Sequence, residues 1–217
     1  MGFELNTYDY LEYIKKAYEF IHENQEYITN LDLATGDGDH WSNMNMGFQK
    51  IVLDYDNLIT KNISELLKQI GRNMMATIGG SSGVLYGSAY IAASKVVADK
   101  EIIEKNTLYT ILETMLKAIM ERGQAQEGFK TMIDSLAPAV RVYKECLDKK
   151  VDDIELCEKV KKAAIDGAEN TKNMEAVKGR ATYQSNKGIG HLDPGAVTMS
   201  YQIMALMDYI KEKINQK

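Results

Sequence analysis

The stretch ISELLKQIGRNM, residues 63–74, shows the spacing on which the fold prediction depends. Its apolar residues Ile63, Leu67, Ile70 and Met74 recur every three or four positions, which brings their side chains to one face of an α-helix. Seven further segments repeat this spacing, at 11–21, 44–55, 85–96, 108–119, 132–143, 153–173 and 194–214. No long run alternates as a half-buried strand would. The sequence therefore predicts an all-α protein of eight helices.

Helix boundaries are consistent with one continuous unit. Asp193 and Pro194 form an N-cap followed by proline at the first helical position, and Gly123 ends the fifth helix. The chain contains no internal repeat, low-complexity tract or linker. We therefore predict a single domain, residues 1–217, in which antiparallel neighbours are joined by short connections.

Alternate loops of an up-and-down bundle lie at opposite ends. The loops after the first, third, fifth and seventh helices read LDLATGDGDHW, IGGSSG, RGQAQEGFKT and KGRATYQSNKGIGHLDPG. The remaining loops read DYDNLITKN, ADKEIIEKN and LDKKVDD, which are ordinary charged turns. Glycine, serine, histidine and aspartate thus collect at one end, where we predict the functional site.

Composition limits the classes of partner. With 26 basic and 31 acidic residues, the net charge of −5 gives no sign of a nucleic-acid or anionic-membrane partner. The longest uncharged run, from Arg72 to Lys95, is interrupted by GGSSG, so we expect no membrane span. The amino end, MGFELNTYDY, is too polar for a signal sequence. We therefore expect a cytoplasmic protein in which Cys146 and Cys157 remain thiols.

The stretch GDGDHWSNM, residues 36–44, completes a cluster of three carboxylates: Asp32, Asp37 and Asp39. Carboxylates this close repel one another unless a cation lies among them, and hard divalent ions take oxygen ligands. An EF-hand is excluded, because a loop starting at Asp37 has Ser42 where glycine is required. Magnesium fits better, since it uses few carboxylates and completes its shell with water and substrate phosphates. The alternative is a solvated acidic turn that caps a helix.

The stretch GGSSG, residues 79–83, precedes another predicted helix. Helix amino termini bind anions through free N–H groups and the helix dipole, and glycine allows a phosphate to approach the backbone. A flexible turn is the alternative reading of this stretch.

Three other motif readings fail. GDGDHW has Trp41 where a dinucleotide fingerprint ends in glycine, and GQAQEGFK has Phe129 where a P-loop has lysine. Glu19 and His22 supply one Glu-x-x-His pair, whereas a di-iron bundle needs two.

Four motifs in order carry a resemblance to a known family. GDGDH with NM after it, GGSSGVLYG, GFKTMIDSLAPA and GRATYQSNKGIGHLDPGA resemble the nucleotide-binding L subunit of the bacterial dihydroxyacetone kinase driven by the phosphotransferase system. The resemblance extends from about Asp32 to Ala196. It implies an eight-helix antiparallel barrel-like bundle with the nucleotide at one end, in agreement with the loop pattern.

The resemblance also implies the chemistry. ADP/ATP is expected as a tightly held cofactor with two Mg²⁺ ions, recharged by a phosphohistidine M subunit, and dihydroxyacetone is expected on a separate K subunit. Asp32, Asp37 and Asp39 match the family's metal-ligating, catalytic carboxylates. Nine further positions match nucleotide-site residues: His40, Asn43, Ser81 and Ser82 at the phosphates, Gly79, Thr131 and Met132 about the adenosine, and Arg180 and Asp193 where the site closes.

The chain departs from the family pattern near the nucleotide. Trp41 replaces glycine and either walls the phosphate pocket or packs behind the loop, and Phe129 replaces aspartate at the expected adenine edge. Residues 185–188, SNKG, stand where the family has Gly-Glu-Arg-Ser. Lys187 keeps the charge there but lacks the planar fork of arginine.

Two alternative functions remain open from sequence. The chain could belong to a related kinase for another small ketone or sugar. It could instead be a non-catalytic adaptor that senses nucleotide.

Overall fold

The computed structural model describes residues 2–98 and 100–216. The elements are β1 (Glu4–Leu5), α1 (Thr7–Glu23), α2 (Gln25–Thr35), α3 (His40–Leu53), α4 (Tyr55–Leu58), α5 (Ile63–Thr77), α6 (Gly80–Val96), β2 (Ile103–Glu104), α7 (Lys105–Gly123), α8 (Ile133–Asp148), α9 (Asp153–Asn170) and α10 (Pro194–Asn215), with 3₁₀ turns at Thr171–Asn173 and Arg180–Tyr183. Outside the described residues lie Met1 and Lys217, the predicted domain limits, and Asp99 of the loop ADKEIIEKN.

The all-α class is confirmed, but the count of eight helices is not. The described residues form ten α-helices, of which eight match the predicted segments and α2 and α4 are additional. The buried face of α2 consists of Ile28, Asp32 and Thr35, so it leaves no apolar repeat in the sequence. Asp32 lies in the last turn of α2, so the prediction that it belongs to the loop after the first helix is wrong. α4 is a single turn.

The long helices form a closed ring. α1 packs on α3 and α3 on α5, each helix from α5 onward packs on the next, and α10 returns to α1. The interior is apolar, with Ile14, Phe48 and Ile70 fully buried.

Cys146 and Cys157 are buried free thiols, and burial raises the pKa of Cys157 to about 12. Within the described ranges, no helix has the length and hydropathy to cross a membrane.

The ordinary charged turns meet at one end of the ring. Thr7 Oγ1 donates to the Lys61 carbonyl at 3.0 Å, which ties the start of α1 to the turn before α5. Lys105 Nζ donates to the Val151 carbonyl at 3.0 Å and pairs with Asp153 at 2.6 Å. These contacts leave the glycine-rich loops to gather at the other end.

α5 and α6 approach each other through two facing glycines. A Cβ on Gly71 would lie 2.9 Å from the Gly87 carbonyl oxygen, and a Cβ on Gly87 would lie 2.8 Å from the Gly71 carbonyl oxygen. Both contacts are to backbone, which cannot move without separating the helices. The pair therefore sets the distance between the helices on either side of the GGSSG loop.

We predict that Gly71→Ala and Gly87→Ala each destabilise the fold by about 1–3 kcal/mol, because each added methyl overpacks the α5–α6 contact. Urea unfolding measures the loss. Gly123→Ala is the matched control, since its Cβ would meet only the Leu85 side chain at 3.3 Å and the Ala125 Cβ at 3.8 Å. Equal stability of all three variants would contradict the proposed close contact.

Candidate functional site

Two adjacent cavities, of about 610 and 330 Å³, open at the end where the glycine-rich loops gather. Seven residues line both: His40, Ser81, Ser82, Lys178, Gly179, Asp193 and Pro194. The smaller cavity is lined by ten of the residues predicted from sequence: Asp32, Asp37, Asp39, His40, Asn43, Gly79, Ser81, Ser82, Arg180 and Asp193. The other two, Thr131 and Met132, line the larger cavity. The structure thus brings every predicted site residue to one continuous site.

The carboxylates of Asp32, Asp37 and Asp39 converge at the smaller cavity, where one oxygen from each lies within 4.8 Å of the others. Asp32 is 7 % exposed, and its Oδ2 accepts the His40 backbone N–H at 2.9 Å. Asp39 occupies the N-cap position of α3, but its side chain makes no capping hydrogen bond. Gly38, with φ +80°, allows the turn that folds the two exposed carboxylates back towards Asp32.

The amino terminus of α6 lies beside the carboxylates. Gly79 is its N-cap and has no side chain to bond the free amides of the first turn. The Gly79 N–H donates to Asn43 Oδ1 at 3.2 Å, which holds the loop against α3. A Cβ on Gly83 would lie 2.2 Å from the Ile78 carbonyl oxygen, so the chain turns too tightly there for a larger residue. The GGSSG stretch therefore forms the N-cap and first turn of α6.

The larger cavity has an apolar wall contributed by Val84, Leu85 and Ile119. The loop before α8 also lines this cavity, through Lys130, Thr131 and Met132, and this loop is bonded to Asp134. The Asp134 carboxylate accepts the Gly128 N–H, and also accepts the Thr131 N–H at 2.7 Å. The larger cavity thus has an apolar wall together with a loop that is hydrogen-bonded to Asp134.

Residues 171–193, here called the cavity segment, contribute Lys178, Gly179 and Asp193 to the walls of both cavities. Arg180 pairs with Asp37 at 2.6 Å, and the two side chains are 61 % and 40 % exposed. Gln184 Nε2 donates to the Ala34 carbonyl at 2.7 Å. These two contacts attach the segment to the end of α2 and the acidic turn.

Burial shifts the pKa of Asp193 and of His40, two residues that line both cavities. Asp193 Oδ2 accepts the Ala196 N–H at 2.7 Å as the cap of α10, and burial raises the pKa of Asp193 to about 7. Burial also lowers the pKa of His40, against the opposing effect of the nearby Asp32 and Asp39 carboxylates. His40 Nε2 lies 2.9 Å from Thr198 Oγ1. A neutral imidazole is thereby favoured at the junction of the two cavities.

Sequence reasoning missed three cationic residues on the walls: Lys130, Lys178 and Arg122. Lys178 immediately precedes the Gly179-Arg180 pair that the resemblance had singled out. Lys130 lies inside the quoted GFKTMID motif, and its position next to Thr131 was the available signal. Nothing in the local pattern marked Arg122, at the end of α7.

The structure shows where three residues that depart from the family pattern lie: Trp41, Phe129 and Lys187. Trp41 Nε1 donates to the Ile21 carbonyl at 2.9 Å and its ring packs on the core, so Trp41 lies behind the loop. Phe129 is not among the residues that line either cavity, contrary to its expected place at the adenine edge. Lys187 pairs with Glu175 at 2.9 Å and also lies off both cavity walls.

We predict that the stability of metal-free, nucleotide-free protein depends on Asp193 between about pH 4 and pH 7. An unfolded aspartate has a pKa of about 3.9, so the native state retains a proton that the unfolded state releases. The contribution of Asp193 to stability therefore falls as the pH rises through this window. Asp193→Asn keeps a capping oxygen without titrating, so the stability of wild type relative to the variant should decline from pH 5 to pH 8 in urea unfolding. Parallel pH profiles would refute this assignment.

The DAK2 domain family model matches residues 34–208. The ADP-binding subunit DhaL of the PEP-dependent dihydroxyacetone kinase of Escherichia coli K12 is 31 % identical over 202 residues, covering 93 % of this chain and 96 % of that protein. The corresponding subunit of kinase 1 of Listeria innocua is 34 % identical over 204 residues, covering 93 % and 97 %.

Solved structures of the dihydroxyacetone kinase of C. freundii have the same fold. The native form is 25 % identical, with a TM-score of 0.73, over 91 % of this chain and 34 % of that one. The complex of that enzyme with AMP-PNP and Mg²⁺ is 26 % identical, with a TM-score of 0.69, over 91 % and 33 %. The chain thus spans about a third of that longer enzyme. The family model matches most of the chain, and the two DhaL subunits are similar to it over nearly their whole length. The chain therefore belongs to the DAK2 domain family, in the group of DhaL subunits of dihydroxyacetone kinases.

Proposed function

We propose that this chain is the nucleotide-binding subunit of a dihydroxyacetone kinase. It holds Mg-ADP/ATP at the glycine-rich end and passes the phosphoryl group to dihydroxyacetone on a partner K subunit, and a phosphohistidine M subunit recharges the bound ADP. One observation carries the proposal: the twelve residues that the family resemblance selects lie on the walls of one continuous site.

The three carboxylates fit magnesium. Their oxygens are hard ligands within 4.8 Å of one another, and Asp37 and Asp39 lie on an exposed turn where water and phosphate oxygens can complete the shell. Asp32 is held in place by the His40 amide, so the cluster has one fixed and two adjustable ligands. The three carboxylates carry a charge of −3 against the +4 of two divalent ions, the number that the resemblance implies, so phosphate oxygens of the nucleotide would supply the remaining charge.

The two cavities fit the two halves of a nucleotide. A volume of about 610 Å³ lies in the usual range for a small-molecule pocket, and its apolar wall of Val84, Leu85 and Ile119 suits a base. The smaller cavity adjoins it and contains the first turn of α6, which has no side-chain cap, with Ser81 and Ser82, and this turn suits the phosphates. Met132 and Thr131 lie on the base side.

Phosphoryl transfer requires positioning and neutralisation of charge more than covalent chemistry. Magnesium, when bound, neutralises phosphate oxygens and orients them. The amides of α6 and the hydroxyls of Ser81 and Ser82 are placed to donate to the same oxygens, and Arg180 adds a cation from the cavity segment. The chain thereby offers amide, hydroxyl and guanidinium donors on the wall of the smaller cavity.

The acceptor is expected on a partner. Among the described residues that line the two cavities, His40 is the one histidine, and its Nε2 already contacts Thr198. No second imidazole on these walls is available to anchor a small ketone. This supports a separate K subunit as the holder of dihydroxyacetone.

We predict that Asp37→Ala and Asp39→Ala each abolish magnesium-dependent nucleotide binding, because each removes a ligand oxygen from the cluster. Thermal melts of metal-stripped protein with ADP, with Mg²⁺ and with both provide the test. Ligand at about a hundred times its Kd should stabilise the wild type by roughly 2.7 kcal/mol. Only the combination is expected to stabilise the wild type, and neither variant should respond.

Two controls separate the metal role from other effects. Arg180→Ala breaks the pair with Asp37 while keeping every carboxylate, so ADP binding measured by calorimetry should still depend on Mg²⁺. Glu19→Ala changes an acid that is not among the residues lining the cavities and should behave as wild type. Unchanged ADP affinity in both aspartate variants would rule out the metal assignment.

We further predict that the chain, combined with ATP, Mg²⁺ and a dihydroxyacetone-loaded K subunit, produces dihydroxyacetone phosphate. Phosphorus NMR detects the product directly. Transfer to another small ketone or sugar but not to dihydroxyacetone would favour the related-kinase alternative. Tight nucleotide binding without transfer to any acceptor would favour the adaptor.

A further inference from the structure

The proposed function leaves one buried cation without a role. Lys130 is 2 % exposed, and its backbone adopts the left-handed conformation with φ +59°. Both features are unfavourable for a lysine, because burial costs the ammonium its hydration and the conformation disfavours residues with a Cβ. Such a combination persists where the side chain makes contacts that the structure requires.

The ammonium of Lys130 joins the two ends of the cavity segment. Nζ donates to the Thr171 carbonyl at 2.6 Å and to the His191 carbonyl at 2.5 Å. A second hydrogen bond also joins the two ends: the Asp193 N–H donates to Thr171 Oγ1 at 2.9 Å. Residues at opposite ends of the segment are therefore held together at one point.

The middle of the segment packs on the same lysine. Gly188, with φ +73°, faces the alkyl chain so closely that an added Cβ would lie 3.0 Å from Lys130 Cε. Val177 donates its N–H to the Phe129 carbonyl at 3.2 Å, directly before the residues that line both cavities. Lys130 thus contacts the segment near both ends and at Gly188, and the adjacent Phe129 bonds it at Val177.

The surrounding charges favour the cationic form of Lys130. Burial lowers the pKa of its ammonium, but the carboxylates of Asp193 and Asp134 act in the opposite direction. Hydrogen bonds from a charged donor are stronger than neutral ones. Loss of the donor would remove this bond from the His191 carbonyl and leave the Thr171 carbonyl with the Met174 N–H, which donates to it at 3.1 Å.

We propose that Lys130 is a positioning residue that clasps the cavity segment, residues 171–193, over the nucleotide site. Through the clasp, Lys130 determines where Lys178, Gly179 and Arg180 lie without itself taking part in phosphoryl transfer. The consequence for nucleotide affinity rests on the proposed function, whereas the consequence for the segment does not.

The first experiment is amide hydrogen exchange, followed by mass spectrometry, on nucleotide-free Lys130→Met and wild type. The N–H groups of Ala176 and Gly190 donate to the Lys187 and Lys172 carbonyls within the segment, at 2.9 and 2.8 Å. Exchange in peptides that contain these two residues should rise roughly tenfold or more, because charged hydrogen bonds at the base of the segment are lost. Peptides of α5 and α6 should be unchanged. Lys187→Met is the control, since Lys187 lies in the same segment but pairs only with exposed Glu175, and it should match wild type.

Unchanged exchange in the segment, or an equal rise across all helices, would overturn the proposal. If Lys130→Met does not fold, Lys130→Gln retains donor hydrogens without the charge and should show the same localised rise at smaller amplitude. Uniform protection in that variant would equally overturn the proposal.

The second experiment measures Mg-ADP affinity by calorimetry. Lys130→Met should weaken binding about tenfold, in step with the loosened segment, and Lys187→Met should not. Weakened binding with unchanged exchange would mean that Lys130 contacts the nucleotide directly, which overturns the positioning role. If wild type binds no Mg-ADP, the proposed function fails, and the exchange experiment still decides whether the clasp exists.

Discussion

The hydrogen bond from the His40 amide to the Asp32 carboxylate joins the end of α2 to the start of α3, and the acidic half of the site depends on it. The chain between these residues is only a short turn, so fixing both of its ends forces Asp37 and Asp39 back towards Asp32. Gly36 makes this possible, since a Cβ there would lie 2.4 Å from Asp32 Oδ1. A carboxylate that serves as a structural acceptor thus also sets the position of a proposed metal ligand.

The two cationic side chains that bind the cavity segment to the rest of the site, Arg180 and Lys130, make contacts of different kinds. Arg180 and Asp37 form an exposed pair, and exposed pairs contribute about 0–1 kcal/mol, so this contact can exchange for a metal ion or a phosphate at little cost. Lys130 is buried and bonded to two carbonyls, so releasing it would deprive a buried ammonium of both acceptors. The cavity segment is therefore firmly held at its base and weakly held over the carboxylates. This arrangement permits the segment to open at the phosphate end while its base stays in place.

The eight long helices and the gathering of their loops follow from apolar spacing, which sequence records directly. The separate helix α2 was missed because its buried face includes Asp32 and Thr35, so it has no apolar repeat. Lys130 was missed for a related reason: lysine is ordinarily a surface residue, and its burial arises from contacts with a segment some 40 or more residues away. For Trp41, both readings were compatible with the sequence, and a single bond to the Ile21 carbonyl decides between them.

The departures from the family pattern can now be located. The three carboxylates are unaltered, whereas the run SNKG at 185–188 lies in the cavity segment. Lys187 and Gly188 there both have positive φ, at +48° and +73°, and an added Cβ on Gly188 would lie 3.0 Å from Lys130 Cε, so the lysine stem would have to shift for a side chain to fit. Glycine adopts this backbone conformation without the steric cost that a Cβ brings. Gly188 therefore belongs to the contact between the cavity segment and Lys130, and not to the carboxylate cluster.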